Sequence, residues 1–220
     1  MLVVGFGKLG QAIVSALHNH GVEEVKVYNR TVSKAAEVAG VAVVKPEQFS
    51  YENQVIIALP AHVYEPFFLK YAKAFPEDCQ FFYTATNLDF NDVSALLTKQ
   101  QRATSVKLLG HAYTLERAGT FVVSTEEDRR LFSSVTSGAF STIVNTESSV
   151  RMANTIVTTE TLRAIVSIEQ QLKAKHFDEQ MIERAIKSMI PGIVEAHVTD
   201  THGGFARSIM ERWENENDGK

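Results

Sequence analysis

The stretch "VVGFGKLGQAIVSALHNHGVEEVKVYNRT", residues 3–31, decides the fold of the first half of the chain. A short apolar run, Leu2 to Gly5, leads into Gly5, Gly7 and Gly10 in the spacing G-x-G-x-x-G. Leu9, Ile13, Ala16 and Leu17 then recur at helical spacing, and Gly21 stands where a C-terminal cap belongs. "EVKVYN", 24–29, alternates as a half-buried strand does. Strand, glycine turn, helix and strand within about 30 residues form the context in which this pattern holds a dinucleotide. The first glycine makes the tight turn, the second lets a pyrophosphate approach the backbone, and the third lets helix and strand pack. The helix N-terminus adds unpaired N–H donors and positive dipole. Gly5, Phe6, Gly7, Lys8, Leu9 and Gly10 are therefore the expected cofactor-binding loop.

The end of the same stretch bears on which dinucleotide is held. A carboxylate at the end of the second strand accepts from the ribose 2′-OH of NAD. Here that place is Asn29, followed by Arg30, Thr31 and Ser33, with Lys34 close by. Guanidinium, hydroxyl and ammonium groups suit a 2′-phosphate, which a carboxylate would repel. Asn29, Arg30 and Thr31 are the expected 2′-phosphate ligands, and the expected cofactor is NADP(H). The bland alternative is that Arg30 and Lys34 are solvated charges at a helix start.

Outward from this unit, strand and helix patterns alternate. "VAVV" (41–44), "QVIIALP" (54–60), "CQFFYTA" (79–85), "SVKLLGH" (105–111), "TFVVST" (120–125) and "STIVN" (141–145) read as strands. Helices are expected from Thr31 or Ser33 to about Val38, at "YEPFFLKYAKAF" (64–75), "LDFNDVSALLTKQ" (88–100) and "EEDRRLFSSVTS" (126–137). Short connections between alternating elements imply a parallel sheet covered on both faces. From Glu147 the character changes. "SVRMANTIVTTETLRAIVSIEQQLKAK" (149–175) reads as one long helix. A second helix follows behind an Asp178 cap, interrupted or kinked at Pro191-Gly192, and "GGFARSIMERW" (203–213) reads as the last. The polar tail "ENENDGK" is expected to fray. The expectation is thus an α/β, Rossmann-like domain over 1–146 and an all-α dimerisation domain over 147–220.

Composition limits the function. Of 220 residues 45% are hydrophobic, enough for a real core, and the net charge of −4 provides no basic stripe for nucleic acid. The single cysteine, Cys79, excludes a disulfide framework and points to a reducing, cytoplasmic setting. No apolar run reaches the roughly 18 residues of a membrane span, and Met1 falls almost on the first strand, so neither membrane nor targeting segment is expected. No His/Cys/Asp cluster has metal-ligand spacing, so no metal is expected. The helical part, 147–220, is only 74 residues and its long helix carries more apolar positions than so short a part can cover alone, which predicts a homodimer through the C-terminal helices.

With the glycine loop, the "YNRT" strand end and the helical second half in view, the chain resembles the pyrroline-5-carboxylate reductase family over nearly its full length. Its helical half resembles the 6-phosphogluconate dehydrogenase-like C-terminal domain superfamily. "VIIALPAHVYEPFF" (55–68) is similar to the family segment that borders the nicotinamide, which implies cofactor contacts at Ala58, Leu59 and Pro60. "SVKLLGHAYTLERAGTFVV" (105–123) is similar to "R-x-MPNTP-x-x-x-x-G", with Lys107, Leu109, Gly110, His111, Tyr113 and Gly119 in corresponding places. "VTDTHGGFARSI" (198–209) resembles the closing "T-x-P-GG-x-T-x-x-GL", keeping Thr199, Gly203 and Gly204. The resemblance implies NADPH-dependent reduction of a small cyclic imine, a Rossmann domain, and a helical domain that interleaves with a second subunit to share the active site. The chain departs from the pattern at Gly110-His111-Ala112-Tyr113, at Ala206, and at "TIVTTET" (155–161), which stands for the family's "SGSGPAY" turn. It would be a divergent member.

"SVRMANTIV" (149–157) also resembles the Lys-x-x-Asn-Asn helix of β-hydroxyacid dehydrogenases, with Arg151, Asn154 and Thr155 at the three places. Arginine stays protonated and would clamp a carboxylate, not cycle protons. A third alternative is a non-catalytic NADP-binding regulatory module.

The catalytic candidates are His111, Asn154 and Thr159. His111 follows a strand on the side where ligands collect and could donate a proton, or it caps a turn. Tyr113 could add a hydroxyl or simply pack. Asn154, Thr158 and Thr159 could line a polar pocket, although mid-helix threonines often bond back to their own backbone. Thr199, Thr201 and His202 precede a helix start at Gly203-Gly204 that could hold a carboxylate.

Overall fold

The structure, a computed structural model, describes residues 1–217. The chain forms two compact units, Met1–Ile156 and a second that begins at Val157. The first unit is built on β1 (Leu2–Val4), β2 (Val25–Tyr28), β3 (Val41–Val43), β4 (Gln54–Ile57), β5 (Gln80–Tyr83) and β6 (Arg102–Ser105). All pair in parallel, in the order β3-β2-β1-β4-β5-β6. The chain winds outward from β1 to β3, then crosses to β4 on the other side of β1. The carboxyl ends of β1 and β4 therefore flank a topological switch point, where ligands collect in such sheets.

Alternation along the strands makes two cores, because successive side chains point to opposite faces. Val3, Val27, Ile56 and Phe82 pack on one face with Ile13, Val14 and Leu17 of α1 (Lys8–Asn19). Leu2, Val4, Val55, Ile57, Phe81 and Tyr83 pack on the other with Tyr64, Phe67 and Phe68 of α3 (Ala61–Tyr71). A run of aromatic rings, Tyr28, Phe49, Phe67, Tyr71 and Phe75, fills this second face edge to face and by stacking.

Several elements differ from the sequence expectation. "SVKLLGH" splits at Val106: β6 closes the parallel sheet, while β7 (Lys107–Leu109) joins a separate three-stranded sheet. There β8 (Thr120–Val123) is antiparallel to β7 and parallel to β9 (Ser141–Val144). The helix expected after Thr31 or Ser33 shrinks to α2 (Ser33–Ala36), with no side-chain cap. The 88–100 helix shrinks to α4 (Phe90–Ser94), although Asp89 caps it by accepting from Asn91 N and Asp92 N. α3 starts three residues earlier than "YEPFF" and carries Pro66 inside it. α5 (Leu115–Ala118) and α6 (Glu126–Val135) flank β8 in sequence, α6 behind a Thr125 cap.

α7 runs unbroken from Glu147 to Ala174. The two units divide at Ile156/Val157, inside α7 and ten residues beyond the expected 146/147 boundary, because polar side chains of its first turns hold those turns to the α/β unit. In the second unit Asp178 caps α8 (Glu179–Val198) through Met181 N at 2.8 Å. α8 continues through Pro191, which removes a single N–H from the helix ladder, so the expected interruption does not occur. α9 (Gly204–Asn217) extends into "ENENDGK", whose last three residues lie outside the described ones.

Candidate active site

The chain leaves β1 on Gly5, whose φ of +98° favours glycine. A Cβ there would also lie 2.5 Å from Ala58 O. At Gly10 a Cβ would collide with the Gly5 carbonyl oxygen, so the third glycine permits helix α1 to sit against the turn. Gly7 is different. It is the N-cap of α1, its extended backbone suits any residue, and a Cβ there would meet no protein atom within 4 Å. Nothing in the fold of the chain demands glycine at 7, and the space above it is open.

Two side chains fix the loop between these glycines. Asn29 Oδ1 accepts from Phe6 N at 3.2 Å while its Nδ2 donates to Thr31 O at 2.8 Å. Gln11 Nε2 donates to Phe6 O at 3.2 Å. The Phe6 ring is buried in the core, so Phe6 shapes the loop through its backbone and does not face the open space. Asn29 likewise positions the loop, and Arg30 and Thr31 beside it are exposed. Lys8 is exposed and Leu9 half-buried at the start of α1.

A cavity of about 660 Å³ opens beside the loop at the carboxyl end of β2. Leu59, Pro60, Val63, Pro66 and Phe67 give it apolar walls, and Arg30 and Lys70 bring the two positive charges of its lining, which contains no carboxylate. Tyr28 Oη donates to Tyr71 Oη at 3.3 Å on its floor, and the Lys70 ammonium lies 4.9 Å from the Tyr71 ring centroid. Burial and then that hydrogen bond push the Tyr28 hydroxyl up to about 12, while accepting it draws Tyr71 down. The shape suits a purine and its ribose, with cations at the rim.

Along the same edge, Tyr64 joins β4 to β5. Its hydroxyl donates to Ile57 O at 2.8 Å and accepts from Thr84 N at 3.1 Å and Ala85 N at 3.2 Å. Ala58 is buried, Leu59 half-buried and Pro60 exposed where β4 passes into α3. The next loop, 84–88, is held from below by Lys107. This lysine of β7 is 1% exposed; its ammonium donates to Ala85 O and to Leu88 O at 2.8 Å, and it forms an ion pair with Glu147 Oε2 at 3.3 Å. It also lies 4.0 Å from the Tyr83 ring centroid, and Tyr83 Oη donates to Glu147 Oε1 at 2.8 Å. Burial pulls the Lys107 ammonium down to about 8 against the pull of the Glu147 carboxylate. Burial, then the bond to Glu147, pushes the Tyr83 hydroxyl well above its ordinary range.

α7 meets this edge with one stripe, Glu147, Arg151 and Asn154, spaced i, i+4, i+7. Arg151 Nε donates to Thr86 O at 3.3 Å. Asn154 Nδ2 donates to Leu108 O at 2.9 Å, and its Oδ1 accepts from Gly110 N at 3.2 Å. Both ends of this amide thus hold the end of β7. Thr155 bonds back to Arg151 O at 2.8 Å. His111, just past β7, is exposed and caps its own turn: Nδ1 accepts from Tyr113 N at 3.2 Å. That bond leaves the proton of the neutral ring on Nε2. The His111 turn borders a groove of about 700 Å³ together with Lys8, Gln11, Ser15 and Arg117, which brings it beside the glycine-loop helix.

Other candidates stand apart from this edge in the chain. Thr159 is half-buried and belongs to the helical unit, as does Thr158. There Thr199 Oγ1 donates to Glu195 O at 2.8 Å and lies 2.8 Å from Thr201 Oγ1, and His202 Nε2 is 3.4 Å from His197 Nδ1. Cys79 is buried against Glu52 O, and burial first, then Asp78 and Glu52, push its thiol up to about 12. Among the described residues, no group of three or more His, Cys, Asp or Glu side chains is placed to hold a metal, and no helix is long and apolar enough to cross a membrane.

With this geometry in hand, the chain can be set beside known proteins. Residues 1–56 match the family model for shikimate/quinate 5-dehydrogenase. A 39-residue stretch is 46% identical to glutamyl-tRNA reductase of Saccharolobus solfataricus, covering 18% of this chain and 9% of that protein. Among solved structures, a pyrroline-5-carboxylate reductase from Coxiella burnetii superposes with a TM-score of 0.72 at 14% identity, over 98% of this chain and 90% of that one. The Plasmodium falciparum pyrroline carboxylate reductase with NADP bound gives 0.67 at 12% identity, over 98% and 89%. The fold is that of the pyrroline-5-carboxylate reductases. The family model matches residues 1–56 alone, whereas the structural likeness covers 98% of the chain.

Within this fold, sequence reasoning missed Gln11, Tyr64, Lys70 and Glu147, and gave Lys107 a place in a motif without a role. Gln11 and Lys70 look like ordinary polar positions on helix surfaces. Lys107 carried a signal: a lysine between Val106 and Leu108 in a strand pattern is a buried charge that must have partners.

Proposed function

We propose that this chain is an NADPH-dependent oxidoreductase that reduces a C=N or C=O bond in a small carboxylate-bearing substrate. The observation that carries the reading is the pairing of an open space above Gly7 with a carboxylate-free pocket rimmed by Arg30 and Lys70. The first suits a pyrophosphate at a helix N-terminus, the second an adenosine 2′-phosphate. NADP bound to the similarly folded Plasmodium reductase supports it.

In this reading Gly7, Lys8 and the first turn of α1 hold the pyrophosphate, while Arg30, Thr31 and Lys70 hold the 2′-phosphate. When bound, the cofactor's nicotinamide supplies the hydride. Ala58, Leu59 and Pro60 and the 84–88 loop then border it, because these loops lie at the carboxyl ends of β4 and β5, beyond the switch point. Reduction of an imine needs a protonated nitrogen and a fixed approach and little else from the protein. His111, whose Nε2–H can hydrogen-bond the substrate, is the candidate residue beside the reacting nitrogen, with water as the source of the proton. Arg151, held at Thr86 O, is the candidate partner for a substrate carboxylate.

The reading includes a homodimer through the C-terminal helices. Leu162, Val166, Ile193, Val194, Val198 and Phe205 are exposed on α7, α8 and α9, which supports a covering partner. The functional test is NADPH oxidation over a panel of cyclic imines, open-chain imines and keto acids, each with and without a carboxylate. Turnover confined to carboxylate-bearing members supports the proposal. Tight NADPH binding with no turnover on any member favours a regulatory module instead.

A further inference from the structure

The most unusual group in the α/β unit is one that the proposed chemistry does not use. The Lys107 ammonium donates to Ala85 O and Leu88 O and forms an ion pair with Glu147 Oε2 at 3.3 Å. The Tyr83 ring closes the remaining side. An ammonium ion buried this way is costly unless it is both bonded and paired, and those contacts tie three elements to one atom. The carbonyls of Ala85 and Leu88 are the two ends of one loop, and Arg151 takes the carbonyl of Thr86 between them. From the other side, Tyr64 takes the N–H groups of Thr84 and Ala85.

We propose that Lys107 is a positioning residue for the candidate active site: its ammonium clamps the 84–88 loop at the carboxyl edge of β5 and links it, through Glu147, to the start of α7. The loop lies next to 58–60, so it borders the far end of any dinucleotide laid from the β2 pocket across the glycine turn. Lys107 touches neither cofactor nor substrate. It sets where the loop that touches them stands. The assignment to hydride transfer rests on the reductase reading; the clamp does not.

The charged and titratable groups around Lys107 are Glu147 and Arg151 from α7, Asp89 from the loop before α4, and Tyr83 from β5. Tyr83 is held above its ordinary range, whereas burial brings the Lys107 ammonium down into the range of pH 7–9. Its ammonium sits near 8 when clamped, against an ordinary value of 10.5. Any loop opening that lets water reach Lys107 therefore takes up a proton. Such opening becomes rarer as pH rises, by about tenfold between pH 7 and 9.

Hydrogen exchange on the full chain tests this. In the unaltered protein, protection of the Thr84, Ala85 and Leu88 amides, corrected for intrinsic rate, is expected to rise about tenfold from pH 7 to 9. In Lys107→Met those amides are expected to exchange at least tenfold faster at pH 7, with no pH-dependence, while β1 and β4 keep their protection. Flat or falling protection in the unaltered protein overturns the clamp, whatever the variant does. So does a variant in which every strand loosens equally. NADPH titration of both proteins separates the two readings. Weaker NADPH binding in Lys107→Met than in the unaltered protein is expected and equal affinity overturns the positioning role, whereas failure of NADPH to bind even the unaltered protein removes the reductase reading and leaves the exchange result standing.

Discussion

The same methyl group, added at two glycines three residues apart, should do opposite things. At Gly10 a Cβ runs into the Gly5 carbonyl oxygen, with no flexible side chain there to yield. Relief requires α1 to move off the turn, and overpacking of this kind costs about 1–3 kcal/mol or more. At Gly7 the backbone is extended, φ −80° and ψ −165°, and the Cβ meets nothing within 4 Å. Alanine is a poorer N-cap than glycine, yet it restricts the unfolded chain, and these terms of about 0.5–1 kcal/mol nearly cancel. Gly7→Ala should therefore unfold within about 1 kcal/mol of the unaltered protein while binding NADPH at least tenfold more weakly, because its methyl stands where the pyrophosphate must approach. Gly10→Ala should lose stability outright. Urea unfolding and calorimetric titration of both variants measure the two effects separately. Full NADPH affinity in Gly7→Ala, or an unperturbed Gly10→Ala, would refute the assignment of roles within the loop.

Three further outcomes are expected. Tyr64→Phe removes one hydroxyl and orphans the buried N–H of Ala85, while Thr84 N–H keeps only its 3.3 Å bond to Ile57 O, so it should cost roughly 1–3 kcal/mol. Tyr71→Phe, which loses a single 3.3 Å contact at a partly exposed site, should cost under about 1 kcal/mol, and equal losses in urea melts would contradict the account. Between pH 8 and 9 the unfolded chain holds a proton on Lys107 that the folded chain has begun to release, so unfolding free energy should rise by about 1 kcal/mol. The Lys107 contribution should vanish in Lys107→Met, while the buried Cys79 thiol, raised from 9.0 to about 12, already offsets part of it as pH approaches 9 and reverses it above. Finally, light scattering should find a dimer, and Val166→Glu, on an exposed apolar face of α7, should yield monomer with the α/β unit still folded. A dimer indifferent to that charge would place the interface elsewhere.

Much of the fold was legible because its signals are local. The G-x-G-x-x-G turn, the alternation in β2 and the Gly21 cap each follow from neighbours in sequence, and Gly21 N does donate to His18 O at 2.9 Å. What was not legible depends on residues far apart in the chain. Val106 divides one apolar run between two sheets because β7 pairs with β8, which lies beyond α5. The 88–100 pattern holds helix only to Ser94, and Gln101 then bonds to Ala72 O and Pro76 O, drawing the chain to β6. In the candidate site, Asn29, read as a ligand, lines the pocket and also braces the glycine loop through Phe6 N, a role no local pattern showed. Asn154 similarly braces Leu108 and Gly110, 46 and 44 residues away. Pattern reading finds the residues; only the fold tells a ligand from a brace.

The central claim is that the pocket beside Asn29 is built for a 2′-phosphate. Calorimetric titration of the unaltered protein with NADPH and, separately, with NADH tests it most directly. The account predicts NADPH binding at least tenfold tighter, about 1.4 kcal/mol, with the advantage falling in the Arg30→Ala, Lys70→Ala double variant. Equal affinity for the two, or preference for NADH, would contradict it.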